Sequence, residues 1–258
     1  MKTFVKNRKG QKVCVVVEGE SNPKGLVFIM HGLSGNKDQE HIRTFTQAFL
    51  DNGYTAVSFD TTNTFGESDG LYEEATTTNY YEDLEDIISW ASGQPWYHEP
   101  FVLVGHSLGG ICVALYAEAH PNKIKALAPI STVVSGKLSE ENKISKGKKS
   151  ELEDWKKTGW RTETSANRPG LIKRLKWAHM EDRLKYNLLP KADKLTMPVL
   201  MIVGNQDNST PQDHQKILYD VLPGKKELHI IKNAPHTFKN LEHLVEIKNI
   251  FTNWINSL

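Results

Sequence analysis

A serine flanked by two glycines is the strongest chemical signal in this chain. Gly105, Ser107 and Gly109 follow the apolar run FVLV, and a helical pattern begins directly after them. A serine hydroxyl is a weak nucleophile until a base removes its proton, and a sharp turn from strand into helix exposes it for attack. Glycine on either side relieves the crowding in such a turn. We therefore expect Ser107 to be a nucleophile for acyl transfer; the alternative is an idle serine in a glycine-rich turn.

Two later residues have the right types to activate this serine. Asp207 lies in VGNQDNSTP after the apolar run VLMIV, and His236 lies in NAPHTF after the last apolar run. Both positions fall at the carboxyl ends of predicted parallel strands, the sheet edge that also carries Ser107. The chain order serine, aspartate, histidine is the order found at such edges. We expect His236 to be the general base and Asp207 the acid that orients it. The alternatives are a turn-forming aspartate and a surface histidine.

A second glycine-rich turn, HGLSG, follows the apolar run LVFIM. A turn of this kind can aim a backbone N–H at the oxyanion of a tetrahedral intermediate. We expect the amides of Leu33 and of Leu108, the residue after the serine, to be the two donors. His31 is expected to brace this loop through hydrogen bonds.

These loops need strands that end at one edge of a sheet. Apolar runs alternate with helical patterns along most of the chain, which predicts a doubly wound, mostly parallel sheet. Unbroken apolar runs such as LVFIM are typical of strands buried on both faces. The alternation stops between about Thr132 and Lys194. We therefore expect a core domain from residues 1–132 and 190–258, interrupted by a helical cap insertion over residues 133–189.

The predicted insertion carries four large aromatic residues: Trp155, Trp160, Trp177 and Tyr186. They could line an acyl or aryl site, or they could form the small core of the cap itself. The lysine-rich part between Lys137 and Lys157 is interleaved with glutamate and aspartate. This mixture favours a solvated face over an anion site.

The charge balance excludes some partners. The 258 residues include 32 basic and 31 acidic side chains, a formal net charge of +1. A nucleic-acid partner would need a strong basic bias, so none is expected. No apolar run reaches eighteen residues and no secretory signal is visible, so we expect a cytoplasmic protein without a membrane span. Nothing in the pattern specifies an oligomeric state.

Cofactor motifs are also missing from the sequence. The chain has neither a metal-ligand cluster with suitable spacing nor a glycine-rich dinucleotide fingerprint, so no metal and no cofactor are expected. Cys14 and Cys112 lie in apolar stretches and are expected to be buried thiols instead of a disulfide.

Taken in order, HGLSGN, SFDTTNTFGESDG, VGHSLGG, VGNQD and NAPHTF resemble the α/β-hydrolase superfamily. Within it they most resemble the small capped carboxylesterases, which include monoacylglycerol-lipase-like and cinnamoyl-esterase-like enzymes. The resemblance covers nearly the whole chain except the insertion, and it implies the same triad and the same oxyanion donors. The loop after Asp60 departs from the D-x-x-G-x-G-x-S turn of many relatives. TTNTFGES lacks one glycine and is one residue longer, while Gly66 and Ser68 match its end.

The expected function is that of a serine carboxylesterase, which hydrolyses small to medium carboxylic esters through an acyl-enzyme on Ser107. One alternative is an aminopeptidase-like amide or peptide hydrolase on the same triad. It would need an acidic anchor for the substrate amine, and Glu181 or Asp182 could serve. The other is a non-catalytic binding protein on the same fold. Such proteins usually lack a triad member or an elbow glycine, and this sequence has all of them.

Overall fold

A mixed eight-stranded sheet forms the centre of the computed structural model, which describes residues 1–19, 23–165 and 170–258. In chain order the described strands are β1 (Lys2–Lys6), β2 (Lys12–Glu18), β3 (Gly25–Met30), β4 (Tyr54–Phe59), β5 (Phe101–His106), β6 (Ile124–Ile130), β7 (Trp160–Thr164), β8 (Ile172–Lys176), β9 (Val199–Gly204) and β10 (Lys226–Ile231). The sheet order is β1-β2-β4-β3-β5-β6-β9-β10. Only β2 pairs antiparallel with its two neighbours in this sheet; the other pairings are parallel. The predicted doubly wound, mostly parallel sheet is confirmed.

Helices cover both faces of this sheet. They are α1 (Glu40–Asp51), α2 (Thr77–Ala91), α3 (Leu108–Ala119), α4 (Gly136–Ser145), α5 (Lys149–Thr158), α6 (Ala178–Arg183), α7 (Gln212–Val221) and α8 (Leu241–Ile255), with short 3₁₀ turns at Tyr72–Glu74, Pro121–Lys123 and Leu189–Lys194. On one face α1 and α8 pack together through rings such as Phe45 and Phe251, whose centroids lie 5.1 Å apart. On the other face α2, α3 and α7 bury Leu84, Ile111 and Leu218 in a second core.

The apolar sequence of strand β3 follows from its burial on both faces of the sheet. Successive side chains of a strand point to opposite faces of the sheet. Leu26, Phe28 and Met30 accordingly pack into one core, while Val27 and Ile29 pack into the other. All five are fully buried, so neither face tolerates the polar residue that a half-exposed strand would carry.

The segment between β6 and β9, here called the insertion, contains α4, α5, α6 and an antiparallel hairpin of β7 and β8. Its helices agree with the expected helical insertion, but the hairpin was not predicted. The strands WRTET and IKRLK are largely polar and partly exposed, so they lack the apolar signal of the central strands. Trp155 ties the hairpin to α5, because its Nε1 donates to the backbone oxygen of Leu175 at 3.0 Å. The cap boundaries at residues 133 and 189 stay a prediction.

The insertion leaves and rejoins neighbouring strands of the sheet, since Leu127 of β6 pairs with Val199 of β9. Cys14 and Cys112 are buried free thiols, as expected. Within the described ranges, no helix combines the length and the apolar character needed to cross a membrane.

Candidate active site

Ser107 lies in the tight turn between β5 and α3. Its backbone has φ 56° and ψ −113°, in the left-handed half of conformational space that L-residues rarely adopt. The turn is anchored to the sheet, because the Ser107 amide donates to the oxygen of Ile130 at 2.9 Å. A Cβ at Gly105 would collide with the backbone of Gly109, and a Cβ at Gly109 would collide with the oxygen of His31. Both flanking glycines are therefore required by close backbone packing.

Ser107, His236 and Asp207 lie in one hydrogen-bonded line. The Oγ of Ser107 lies 2.9 Å from Nε2 of His236, and Nδ1 of His236 lies 2.7 Å from Oδ2 of Asp207. The Asp207 side chain is fully buried and that of His236 is 21% exposed. When Nδ1–H donates to the carboxylate, the lone pair of Nε2 faces the serine hydroxyl. This is the arrangement in which an imidazole can take the proton of a serine.

Several donors surround the carboxylate of Asp207. Its Oδ1 accepts from the backbone amides of Ser209 at 2.8 Å and Thr210 at 2.9 Å. Burial alone would raise the pKa of Asp207. The hydrogen bond and charge of His236, together with these amides, instead hold it below its ordinary value. Asp207 is thus an anion at neutral pH. The contacts of Ser209 and Thr210 were not predicted from the sequence, although an aspartate followed two and three residues later by hydroxyl residues is typical of an Asx turn.

Two buried histidines lie behind His236. The ring of His106 packs against the ring of His236, with centroids 4.8 Å apart, and against that of His41 at 4.5 Å. Burial, followed by repulsion from neighbouring histidines, lowers the pKa of His106 well below its ordinary value. Burial likewise lowers the pKa of His41 to about 3. Both rings are therefore neutral, and Nε2 of His106, 2.8 Å from the backbone oxygen of His236, donates a hydrogen bond to it.

His31 braces the glycine-rich loop after β3, as the sequence analysis predicted. Its Nδ1 lies 2.7 Å from the oxygen of Gly32, and its Nε2 accepts from the amide of Thr61 at 3.1 Å. Burial lowers the pKa of His31, which keeps the ring neutral and leaves Nε2 free to accept. The loop after β3 is thus fixed to the loop after β4.

The two expected oxyanion donors have free N–H groups. Leu108 is the first residue of α3, so its amide has no acceptor within the helix. Among the hydrogen bonds between described residues, none uses the backbone amide of Leu33 or Leu108 as donor. Leu33 lies in a turn closed by the amide of Gly35, which donates to Gly32 at 3.0 Å. The role of Leu33 and Leu108 stays a prediction.

The loop after β4 is built around the buried carboxylate of Asp60. It accepts from the amides of Lys37 and Glu67, both at 2.8 Å. A Cβ at Gly66 would collide with this carboxylate, which explains the glycine in TTNTFGES. Cys14, Asp60 and Glu67 are close enough together to ligate a metal ion. The ammonium of Lys37 lies 3.2 Å from Asp60 and 2.7 Å from Glu67, and it supplies the positive charge there.

A cavity of about 590 Å³ opens at the candidate triad. The sheet edge contributes Leu33, Ser34, His106, Ser107 and His236, and the insertion contributes Ser139, Asn142, Lys143, Lys146, Lys148, Trp155, Arg161, Glu163, Lys173, His179, Met180 and Arg183. The insertion therefore forms a wall of the cavity that contains the Ser107 side chain.

Of the four aromatic residues expected to bind substrate, only Trp155 lines this cavity among the residues that the structure describes. For the other three, the alternative that they pack the insertion itself fits the structure better. The guanidinium of Arg174 lies 4.2 Å from the ring of Trp160, and Trp177 packs against Trp155 with ring centroids 5.4 Å apart. The hydroxyl of Tyr186 lies 2.6 Å from Oγ1 of Thr78. These three side chains pack the insertion and tie it to α2 instead.

The lysine-rich segment, for which the sequence favours a solvated face, also contributes to the cavity. Lys143, Lys146 and Lys148 line the cavity, together with three further basic residues of the insertion: Arg161, Lys173 and Arg183. Glu163 is the single acidic residue in the described lining. These basic residues were not predicted as a group, because they are spread over 41 positions and only the folded insertion brings them to one wall.

Comparisons with known proteins agree with this architecture. A model of the family described as serine aminopeptidase, S33, matches residues 21–240. Mitochondrial palmitoyl-protein thioesterase ABHD10 of Bos taurus is 26% identical over 223 residues, covering 83% of this chain and 67% of the relative. Est1E from Butyrivibrio proteoclasticus, solved with ferulic acid, has a TM-score of 0.80 at 19% identity over 99% of this chain and 98% of its own. Mouse α/β-hydrolase domain-containing protein 10 has a TM-score of 0.79 at 21% identity over 100% and 99%. The fold is the α/β-hydrolase fold, as the motifs implied.

Proposed function

Because this chain belongs to the serine aminopeptidase S33 family of α/β-hydrolases, we propose that it is a serine carboxylesterase acting on small to medium carboxylic esters. The observation that carries the proposal is the line of hydrogen bonds from Ser107 through His236 to Asp207, with distances of 2.9 and 2.7 Å, beside a cavity of about 590 Å³. A cavity of this size suits a small organic substrate.

In the proposed acylation step, Nε2 of His236 removes the proton of Ser107 while Oγ attacks the carbonyl carbon of the ester. The anion of Asp207 keeps the imidazole in the required tautomer and stabilises the imidazolium. The amides of Leu33 and Leu108 would donate to the oxyanion, and one such donor is typically worth about 2.7–4 kcal/mol in the transition state.

The tetrahedral intermediate then collapses: the bond from the carbonyl carbon to the alcohol oxygen breaks, the imidazolium gives its proton to the leaving alcohol, and a water molecule takes the place of that alcohol. In the deacylation step, His236 removes a proton from this water as the water attacks the acyl carbon, and it returns the proton to Oγ of Ser107 as the acid leaves. The hydrogen bond from His106 to the backbone oxygen of His236 supports both steps, because it holds the loop that carries the base. His106 is thus a positioning residue.

Thioesters are a second candidate substrate. The same attack by Ser107 would cleave a thioester, and several relatives that are 25–27% identical to this chain are named palmitoyl-protein thioesterases. The apolar side chains that line the cavity, Leu33, Phe65, Trp155, Leu171 and Met180, could accommodate an acyl chain.

Aminopeptidase activity is less well supported, despite the description of the family. The acidic anchors considered from the sequence, Glu181 and Asp182, are not among the described residues that line the cavity. Asp182 instead accepts from the amide and hydroxyl of Thr78 at 2.8 and 2.6 Å. A wall rich in basic residues would also repel the ammonium group of a peptide N-terminus.

The proposal is tested with p-nitrophenyl esters from acetyl to palmitoyl, beside the matching acyl thioesters, using wild-type protein and Ser107→Ala. We expect turnover that falls about 10⁶-fold in the variant, with unchanged thermal unfolding. The dependence of the rate on acyl length would show how long a chain the cavity accepts. The ratio of ester to thioester rates would show which substrate class is preferred. A wild-type protein inactive on every ester and thioester would contradict the proposal. The cytoplasmic location expected from the sequence stays a prediction.

A further inference from the structure

The wall that the insertion contributes to the cavity has an excess of positive charge. Lys143 lies on α4, Arg161 on β7, Lys173 on β8 and Arg183 on α6, so four separate elements bring cations to one space. The acid that accompanies them, Glu163, lies 2.9 Å from Nζ of Lys173 and 3.7 Å from Nε of Arg161. Its single charge is therefore already shared between two cations.

Among the described residues, neither Lys143 nor Arg183 has an ion-pair partner. Within the described ranges, no carboxylate lies within 4 Å of the ammonium of Lys143 or the guanidinium of Arg183. The Nε atoms of Arg161 and Arg183 are buried, and neither donates a hydrogen bond to a described residue. Buried polar groups in proteins are nearly always hydrogen-bonded, so such atoms call for a partner.

Burial and mutual repulsion lower the pKa of two of these cations. Burial, followed by repulsion from Arg161 and Arg183, lowers the pKa of Lys143 to about 8. Burial, followed by repulsion from Arg161, lowers the pKa of Arg183 to about 10. An anion bound among these side chains would remove the repulsion and satisfy the free donors.

We propose that Lys143, Arg161 and Arg183 bind a carboxylate or phosphate group of the substrate, located away from its scissile carbonyl. Guanidinium groups bind both anions through paired hydrogen bonds, and a lysine adds a point charge. The inference rests on the proposed function, because the cluster shares its cavity with Ser107. It narrows the substrate class to esters or thioesters with an acidic group in the acyl or the alcohol part, in place of wholly neutral esters.

Matched pairs of esters test this inference and locate the acidic group. In the acyl pair, the mono-p-nitrophenyl ester of adipic acid is compared with its methyl ester. In the leaving-group pair, 4-butyryloxybenzoate is compared with its methyl ester, and 4-butyryloxyphenyl phosphate separates phosphate from carboxylate. Each kcat/KM is divided by the rate of alkaline hydrolysis of the same ester, which corrects for intrinsic reactivity. At low salt we expect an acid-to-neutral ratio of about tenfold or more in at least one pair, and a decline as salt rises.

Substitutions then assign the preference to the cluster. Arg183→Gln and Lys143→Gln should each bring the ratio toward one. Lys149→Gln is the matched control, because Lys149 lies on α5, is 70% exposed and is not among the lining residues. Its ratio should equal that of the wild type. Should Arg183→Gln fail to fold, Lys143→Gln at a partly exposed position carries the test.

The outcomes separate the two proposals. Absence of Ser107-dependent hydrolysis for every ester, neutral or acidic, would overturn the proposed function itself. Hydrolysis that depends on Ser107 but has a ratio of one in all pairs would overturn the anion site alone. A high ratio that persists in both Arg183→Gln and Lys143→Gln would show that the preference arises elsewhere.

Discussion

The Nε2 atom of His106 donates a hydrogen bond to the backbone oxygen of His236 across 2.8 Å, so the residue before the serine holds the residue that we propose as its base. His106→Leu removes this donor and should lower kcat about tenfold with little change in KM, since a hydrogen bond is worth about 1 kcal/mol and the imidazole also loses orientation. His106→Gln keeps an N–H donor and should recover part of the loss. Steady-state kinetics on one p-nitrophenyl ester checks this. Equal losses in both variants would point to packing alone.

Asp207→Asn tests the orientation of the base. The amide can no longer accept Nδ1–H as a carboxylate does, so His236 is free to adopt the wrong tautomer, and kcat should fall by about 10⁴-fold. Thr210→Val is the companion change. It removes a hydroxyl 2.9 Å from Oδ2 of Asp207 but keeps the backbone amide that binds Oδ1, and should cost far less. If Asp207→Asn kept nearly as much activity as a mildly affected Thr210→Val, another acid would have to orient His236.

Stability should fall in acid because His41 is buried in its neutral form. Its folded pKa of about 3 lies below the ordinary value of 6.5, so between these values the unfolded chain binds more protons than the folded one. The contribution of His41 to the free energy of unfolding is therefore fully present above pH 6.5. Below that pH it decreases on acidification by up to about 1.4 kcal/mol per pH unit. Urea titrations between pH 7.5 and 4.5 measure this slope. His41→Phe should reduce this slope by the contribution of one proton. Equal slopes for the wild type and His41→Phe would refute the assignment.

Gly105→Ala should prevent a well-formed turn at the serine. The added Cβ would collide with backbone atoms of Gly109, which cannot move like a flexible side chain, and overpacking of this kind typically costs about 1–3 kcal/mol or more. Gly93→Ala is the control, since its Cβ would lie 3.7 Å from the backbone oxygen of Trp90, an ordinary van der Waals distance. Thermal unfolding of both variants checks the expectation. A Gly105→Ala protein as stable and as active as Gly93→Ala would show that the turn relaxes.

The parts of the site that could be predicted from the sequence are those encoded in contiguous residues. Each of three features is recognisable from a short stretch of sequence: the turn around Ser107, the apolar strand before it and the loop that carries Asp207. Backbone geometry in these stretches restricts the residue types directly. Parallel strands then bring Asp207 and His236 to the same edge.

The wall of the cavity could not be predicted in the same way. Arg161 and Lys173 belong to a hairpin whose strands are mostly polar, so no periodic apolar pattern indicated strands there. Trp160 and Tyr186 are large and aromatic, yet the hairpin and α2 provide them with partners elsewhere. Which polar side chains face a cavity depends on contacts between elements distant in sequence, and composition does not carry that information.

The insertion departs from β6 and returns at β9, which are neighbours in the sheet. Replacing or lengthening it would leave the register of every other strand pair untouched. One end is nevertheless coupled to the chemistry, because the amide of Val133 donates to the oxygen of Ser107 at 3.2 Å. The shape of the cavity wall can therefore change independently of the central sheet, provided that the first residues of the insertion stay in place against Ser107.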